Sequence, residues 1–367
     1  MIGLGMLMPL DFLFSAWFFY WGWKAQAIVT AAMAWDKDPR FPYTNAQAFG
    51  AYMAFCVYTL WLSRGYLYQV WLRIIGGRGE LDDRYEPMSY RAAALGILFG
   101  MVALVLFSAG IGMSPLIAVL FFLIYFALAL AITRMRAELG TPIHDLHFTG
   151  PDWIMAEGFG TRHLDPRTLT AFSMFFWFNR AYRGHPMPHQ LEAFKLAEQS
   201  RSSQRQWFWA LLIASGFGAL AGFWAMLHLM YQYGATAKSA GTFGSEAYRQ
   251  LAGWLKNPQP ANGTAMKAVL VGAATAFFLQ AMRVRFPWWP FHPLGYAVTS
   301  SWEINLVWMP LFIAWVLKLV ILRYGGLQGF RRSLPLFFGL MLGQFVIGSL
   351  WNIWGIAMGL PTYQFWQ

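Results

Sequence analysis

Long runs of apolar residues, separated by polar or basic stretches, dominate the chain. A helix needs about 20 predominantly apolar residues to cross the hydrocarbon of a bilayer. Eight runs reach this length: 5–33, 46–75, 91–112, 115–133, 207–232, 265–283, 304–322 and 335–358. The pattern therefore predicts an all-α, polytopic helical membrane protein with about 8–10 transmembrane helices, some of them re-entrant or broken.

Two apolar segments do not fit a simple membrane-spanning helix. Residues 168–182 are apolar at first but short, which predicts a re-entrant or interfacial helix. Residues 284–300 contain three prolines and a cluster of aromatic residues, and prolines at this spacing cannot continue a helix. Because irregular backbone is not tolerated against lipid, this second segment is either an interfacial aromatic loop or the wall of a cavity inside the protein.

Composition and charge agree with this pattern. Hydrophobic residues make up 58% of the 367 positions and charged residues 12%, about half the charged fraction of a soluble domain. This excludes a soluble enzyme, a disordered chain and a disulfide-built secreted module. The formal net charge of +11 is interpreted as basic cytoplasmic loops, not as a nucleic-acid surface. The loop 134–206 is accordingly predicted to be cytoplasmic and the loop 233–264 external, within membrane domains at 1–260 and 261–367.

Polar residues inside apolar runs are functional candidates because they are costly in a membrane. Asp11 follows Pro9 in the first run, and it is either a helix N-terminal cap or a proton or substrate site in a broken helix. His292 lies in the proline-rich segment, and Glu303 and Asn305 open the following span. We predict these residues, Asp11, His292, Glu303 and Asn305, as substrate or coupling residues. Four others are expected to hydrogen-bond between helices: Gln280, Lys318, Gln344 and Asn352.

Motifs for catalysis, metals and nucleotides are weak in this sequence. There is no P-loop, no GxSxG and no HExxH, so we predict no catalytic residue, no cofactor and no metal. The HDLH stretch at 144–147 is interpreted as ordinary loop residues. So are His185 and His189, because two nearby prolines argue against the helix that a shared metal would need. Asp36 and Asp38 form a DxD pair, which keeps a polytopic glycosyltransferase-like enzyme open as a minor alternative.

Several stretches together carry a family resemblance. They are WFFYWGWKAQ (17–26), FPYTNAQAFGAY (41–52), EPMSYRAAALG (86–96), ALAITRMRAELGTPIHDLHFTGPD (129–152), FHPLGYAVTSSW (291–302), WMPLFIAWVLKLVILRYGGL (308–327) and LMLGQFVIGSLW (340–351). They resemble a family of uncharacterised bacterial multi-pass membrane proteins, described through two adjacent domains of unknown function. That family is remotely similar to the oligopeptide transporter superfamily. The resemblance implies a multi-pass protein of the bacterial inner (cytoplasmic) membrane, with the lipid bilayer as its surroundings.

The resemblance also sets expectations about length and partners. Members of the family extend further at the N-terminus, so this chain is expected to be a C-terminal portion, a split-gene half or an incomplete reading frame. A homo-oligomer or an N-terminal partner half is then expected, and no nucleic acid. The predicted function is a non-enzymatic secondary transporter, or transporter subunit, of oligopeptide-transporter-like type for a small organic solute or peptide. The main alternative is a structural or assembly subunit without a site of its own.

Overall fold

The computed structural model describes residues 1–35, 38, 40–76, 81–140, 149–182, 184–234, 242–360 and 362. Fourteen α-helices and one 3₁₀ turn (Val298–Ser300), with no strand, account for the secondary structure of these residues. The helices are α1 Ile2–Gly5, α2 Leu10–Ala32, α3 Thr44–Leu62, α4 Arg64–Ile74, α5 Tyr90–Gly110, α6 Pro115–Leu139, α7 Pro151–Phe159, α8 Pro166–Asn179, α9 Pro186–Gln199, α10 Gln204–Tyr233, α11 Thr242–Lys256, α12 Gly263–Arg285, α13 Pro293–Ala297 and α14 Trp302–Met358.

Five of the described helices are long and apolar enough to cross a membrane: α5, α6, α10, α12 and α14. The helix α14 runs for 57 residues, but Gly326 interrupts it with a φ of 57° and a ψ of −163°. Only glycine adopts such angles without strain, so the two predicted spans 304–322 and 335–358 lie on either side of this bend. The prediction of an all-α polytopic membrane protein is confirmed.

Several local predictions need correction. The predicted span 46–75 is two helices, because the helical backbone is interrupted at Ser63, where ψ rises to 4°. The first run, 5–33, is also divided, since α1 ends at Gly5 and α2 begins after Pro9. The two prolines near His185 do not prevent a helix, because α9 begins at Pro186, a position where a missing N–H costs nothing.

Other local predictions agree with the structure. Residues 168–182 include most of α8, whose 14 residues are too few to cross a bilayer. The proline-rich segment is irregular between Arg285 and Pro293. The chain forms two compact units, whose bounds differ from those of the predicted membrane domains. The division of the membrane region into domains 1–260 and 261–367 stays a prediction.

Unit 1 consists of Met1–Pro42, Leu139–Ile143 and Phe278–Gln367. Its core is the contact between α2 and α14, where aromatic rings meet in order along the two helices. Phe14 lies 5.3 Å from Trp315 between ring centroids, and Tyr20 lies 5.7 Å from Trp308. Because rising positions in α2 meet falling positions in α14, the two helices are antiparallel.

Unit 2 consists of Tyr43–Glu138 and His144–Phe277. Its core contains α6, with the fully buried residues Phe121, Leu128 and Ile132. The helices α3 and α12 approach so closely that a Cβ on Gly272 would overlap the backbone carbonyl of Gln47. Each glycine at such a contact lets two backbones pack directly against each other.

Candidate functional site

A cleft of about 800 Å³ opens in unit 1 beside the N-terminus of α2. Most of its wall is apolar or aromatic, and one ion pair lies within it. The residues that matter for its chemistry are Asp11, Phe14, Arg283, Trp289, Pro290 and Trp315. Clefts with apolar walls and a few polar groups are the usual form of a small-molecule site.

The ion pair in this cleft joins Asp11 to Arg283. Both Nε and Nη2 of the guanidinium donate to Oδ2 of Asp11, at 3.2 and 3.1 Å, while Oδ1 accepts from the backbone N–H of Phe12 at 2.9 Å. Asp11 lies in the first turn of α2 and Arg283 in the last turn of α12. Each charge therefore also interacts favourably with the dipole of its own helix.

The proline-rich segment is fixed to α2 one turn beyond Asp11. The Ser15 hydroxyl donates to the Asp11 carbonyl at 2.6 Å and accepts from the backbone N–H of His292 at 2.7 Å. A Cβ on Gly295 would overlap Ser15, so α13 also packs directly against α2. These contacts hold the irregular backbone against α2, and Pro287 and Pro290 lie in the cleft wall.

Lys318 lies beside the cleft, between the wall residues Trp315 and Leu319. Its side chain is buried, and Nζ donates to the carbonyls of Met6 and Met8 at 2.9 and 2.6 Å. These carbonyls belong to the break between α1 and α2. Lys318 therefore joins α14 to the connection between α1 and α2, and not directly to a second helix.

The structure divides the four predicted site residues. Asp11 lies in the cleft, whereas His292 is fully buried and caps α13, with its Nδ1 accepting from the N–H of Leu294 at 3.1 Å. Glu303 and Asn305 open α14, and Glu303 precedes the cleft residues Trp315 and Leu319 by twelve to sixteen positions. At 1.5 Å per residue this is about 18–24 Å along the helix. Asp11 and Glu303 therefore do not share one pocket.

Arg283, the partner of Asp11, was not among the predicted site residues. It ends an apolar run immediately before the proline-rich segment, and a charge at that position is an ordinary feature of a span terminus. The only sequence signal was that this terminus is followed by backbone that cannot be helical. The pairing itself joins residues 272 positions apart, which no local pattern can indicate.

A second cluster of polar side chains is buried inside unit 2. Asp152 lies at the start of α7, and its exposure is 4%. Burial raises the pKa of this carboxyl to about 6, and the neighbouring Asn179 side chain and backbone amides offset only part of that effect. A Cβ on Gly150 would overlap Asn179 Oδ1, so this glycine admits the amide beside the acid.

Two tyrosines and a histidine extend this cluster. Tyr125 contacts Nδ1 of His185 through its hydroxyl at 3.0 Å, and its ring stacks on Tyr182 at 5.2 Å. Burial, followed by the effect of His189, lowers the pKa of His185 to about 4. Burial likewise raises the pKa of Tyr182. These shifts favour the neutral forms of Tyr182 and His185 near pH 7, whereas the Asp152 carboxyl, with a pKa of about 6, is mostly ionised there.

The residues of the enzyme alternative give no metal site in the described part of the chain. Asp38 is paired with Arg40 at 3.1 Å, on the surface. Asp36 and the stretch 144–147 lie outside the described residues. Among the residues that the structure describes, no three His, Cys, Asp or Glu side chains are grouped as metal ligands. The enzyme hypothesis based on Asp36 and Asp38 therefore stays a prediction.

Comparison with protein families places the whole chain. A family of unknown function, DUF6785, matches residues 1–367. The chain belongs to DUF6785. No curated protein and no solved structure matches the chain. Membership of DUF6785 therefore assigns the chain to a family but to no activity, and function has to be argued from the cleft and the buried cluster.

Proposed function

We propose that this DUF6785 protein is a secondary transporter or transporter subunit of oligopeptide-transporter-like type, which moves a small organic solute or peptide. Its setting is the bacterial cytoplasmic membrane, with the loop 134–206 on the cytoplasmic side. The observation that carries the proposal is the Asp11–Arg283 ion pair in a cleft walled by non-helical backbone. The basic residues of the loop support the orientation through the positive-inside rule.

Broken helices beside a charged cleft are the usual construction of a transport site. Ionisable residues and irregular backbone are both costly at membrane depth unless they line a protein cavity. Here the chain breaks between α1 and α2 and again between Arg285 and Pro293. The second break is held to α2 where the Ser15 hydroxyl accepts from the backbone N–H of His292. Secondary transporters bind their substrates at such discontinuous helices.

The roles of the predicted residues follow from their positions. We assign Asp11 and Arg283 to the solute site and His292 to the support of its wall. Glu303 and Asn305 lie outside the cleft, so we keep them as candidates for coupling at a second position along α14. Gating would consist of opening the Asp11–Arg283 pair when a solute takes the place of one partner.

Proteoliposomes containing the full chain and internal pyranine test the proposal. The probes are the dipeptide Ala-Ala and phenylacetate, added outside under an inward proton gradient. We expect at least one probe to change the rate of internal acidification, and Asp11→Asn to abolish that change. If neither probe alters proton flux, the transport proposal is wrong.

Two variants refine this experiment. Asp38→Asn removes a carboxylate from an exposed ion pair away from the cleft, so it should retain probe-driven flux. Glu303→Gln tests the candidate coupling position on α14 separately from the Asp11–Arg283 pair. If flux is unchanged in Glu303→Gln, Glu303 has no part in the mechanism.

A structural or assembly subunit is the second candidate function. Within the described residues, α10 has no fully buried residue along its 30 positions, so most of its surface is open to lipid or to another subunit. This candidate predicts that substitutions in the cleft lower expression or assembly and leave no flux to measure. Crosslinking of the purified chain in native membranes would then detect a constant partner, either a second copy or an N-terminal half.

A further inference from the structure

The charges around the cleft of unit 1 are unequal. Asp11 is the only acid in its wall among the described residues, and Arg283 already pairs with it. Lys318 precedes the wall residue Leu319 but is not itself in the wall, and its amine donates to the backbone carbonyls of Met6 and Met8. Arg285, exposed, follows in the last turn of α12. The wall itself therefore holds one acid and one base, and the further charges near it, on Lys318 and Arg285, are both positive.

The rest of the wall is suited to an apolar body. Phe14 and Trp315 face each other with centroids 5.3 Å apart, and Phe286 and Trp289 also line the cleft. The indole N–H of Trp289 is buried and has no hydrogen-bond partner in the described part of the chain. A buried N–H without a partner is costly, but this atom has almost no accessible surface, so the contact of Trp289 with a ligand would come from its ring.

We propose that this cleft binds a small organic anion, a carboxylate with an apolar or aromatic body, whose carboxylate pairs with the guanidinium of Arg283 in competition with Asp11. The planar guanidinium matches a carboxylate through two parallel hydrogen bonds. The aromatic wall contacts the body of the ligand. This inference rests on the proposed function in one respect, that the cleft is the solute site.

Charge selects this class over its alternatives. A cation in the cleft would be repelled by the nearby Arg283 and Lys318. The single carboxylate of the wall, Asp11, is already paired with Arg283. A zwitterion of the same size would gain the contact with Arg283, but its ammonium group would face the same positive charges. We therefore expect anions to bind best, zwitterions more weakly and cations least.

Binding of tritiated phenylacetate to the purified full chain, measured by scintillation proximity in detergent, tests the proposal. Benzoate should compete, phenylalanine should compete weakly, and benzylamine should not. Arg283→Gln should weaken binding at least about tenfold, because it removes the partner of the carboxylate. Asp11→Asn should strengthen binding about fivefold, because it removes the competitor for Arg283.

The gain in Asp11→Asn distinguishes a ligand site from a structural ion pair. Loss of a structural pair would lower affinity in both variants by disturbing the wall. The exposed pair of Asp38 and Arg40 supplies matched controls, since Asp38→Asn and Arg40→Gln make the same charge changes away from the cleft. Both should leave binding unchanged. If Arg283→Gln does not fold, the direction of the change in phenylacetate affinity in Asp11→Asn decides between a ligand site and a structural ion pair.

The outcomes separate this inference from the proposed function. Weaker phenylacetate binding in Asp11→Asn, or competition by benzylamine that exceeds that by benzoate, would overturn the anion site. Phenylacetate binding without flux of any probe would refute transport and leave the anion site standing. Flux of Ala-Ala without phenylacetate binding would refute the anion site and leave the transport proposal standing.

Discussion

Replacing Asp152 with asparagine tests the energetics of the buried cluster in unit 2. Burial raises the pKa of this carboxyl from 3.8 to about 6, and the side chain is almost completely enclosed. At 1.36 kcal/mol per pKa unit, the ionised carboxylate costs the folded state about 3 kcal/mol. Asparagine has the same shape without the charge. We therefore expect Asp152→Asn to raise the free energy of unfolding at pH 8 by up to about 3 kcal/mol.

The pH dependence of this gain has a definite sign. Because the pKa of Asp152 is higher in the folded state than in the unfolded state, its contribution to stability is full below pH 3.8. That contribution falls as the pH rises from 3.8 to about 6, and above this range it does not change further. The difference between Asp152→Asn and the wild type should therefore grow between pH 4 and 6 and level off near pH 7.

Thermal unfolding in detergent between pH 4 and 8 measures this difference. A gain of this size should raise the Tm of the variant by several degrees at pH 8. The infrared C=O band of a protonated carboxyl should titrate near pH 6 in the wild type and be missing in the variant. Asp165→Asn, at an exposed position before α8, is the control and should show neither effect. A difference that stays flat from pH 4 to 8 would refute the reasoning.

Three further predictions concern other buried positions. His185→Asn should reduce the loss of stability between pH 6.5 and 4, because the lowered pKa of His185 makes the folded state disfavour protonation there; Tm against pH measures this. Gly272→Ala should cost about 1–3 kcal/mol, since its Cβ would overlap the Gln47 carbonyl, whereas Gly218→Ala on the open α10 should not lower the Tm. Lys318→Met should lower the Tm at all pH values from 5 to 9, because it leaves two buried carbonyls without their donor.

The helices of this fold were largely predictable from local pattern. The predicted spans 115–133 and 207–232 lie within α6 and α10, because a continuous apolar run of that length is stable only as a helix in lipid. The break at Ser63 was not predicted, because hydropathy is the same on both sides of it and carries no information on backbone angles. The interruption at Gly326 falls between the predicted spans 304–322 and 335–358, where the apolar pattern itself is interrupted.

The candidate site was predictable in part. Asp11 was found because a carboxylate inside an apolar run is costly and so is rarely accidental. Glu303 and His292 are close in sequence and were predicted together as substrate or coupling residues. However, the rise of α14 separates Glu303 from the cleft, and His292 caps a short helix away from its lining. Sequence proximity is a poor guide wherever a long helix begins between two residues.

The position of the Asp11–Arg283 pair explains how one ion pair can both hold a wall and yield to a ligand. Asp11 begins α2 and Arg283 lies in the last turn of α12, so each charge is stabilised by its own helix dipole as well as by its partner. Separating two charges that depend only on each other leaves both uncompensated, which is expensive in a partly buried site. Here the helix ends retain part of that stabilisation when the pair opens. A carboxylate ligand can therefore replace Asp11 at Arg283 for a smaller cost, which is the property that an anion site in this cleft requires.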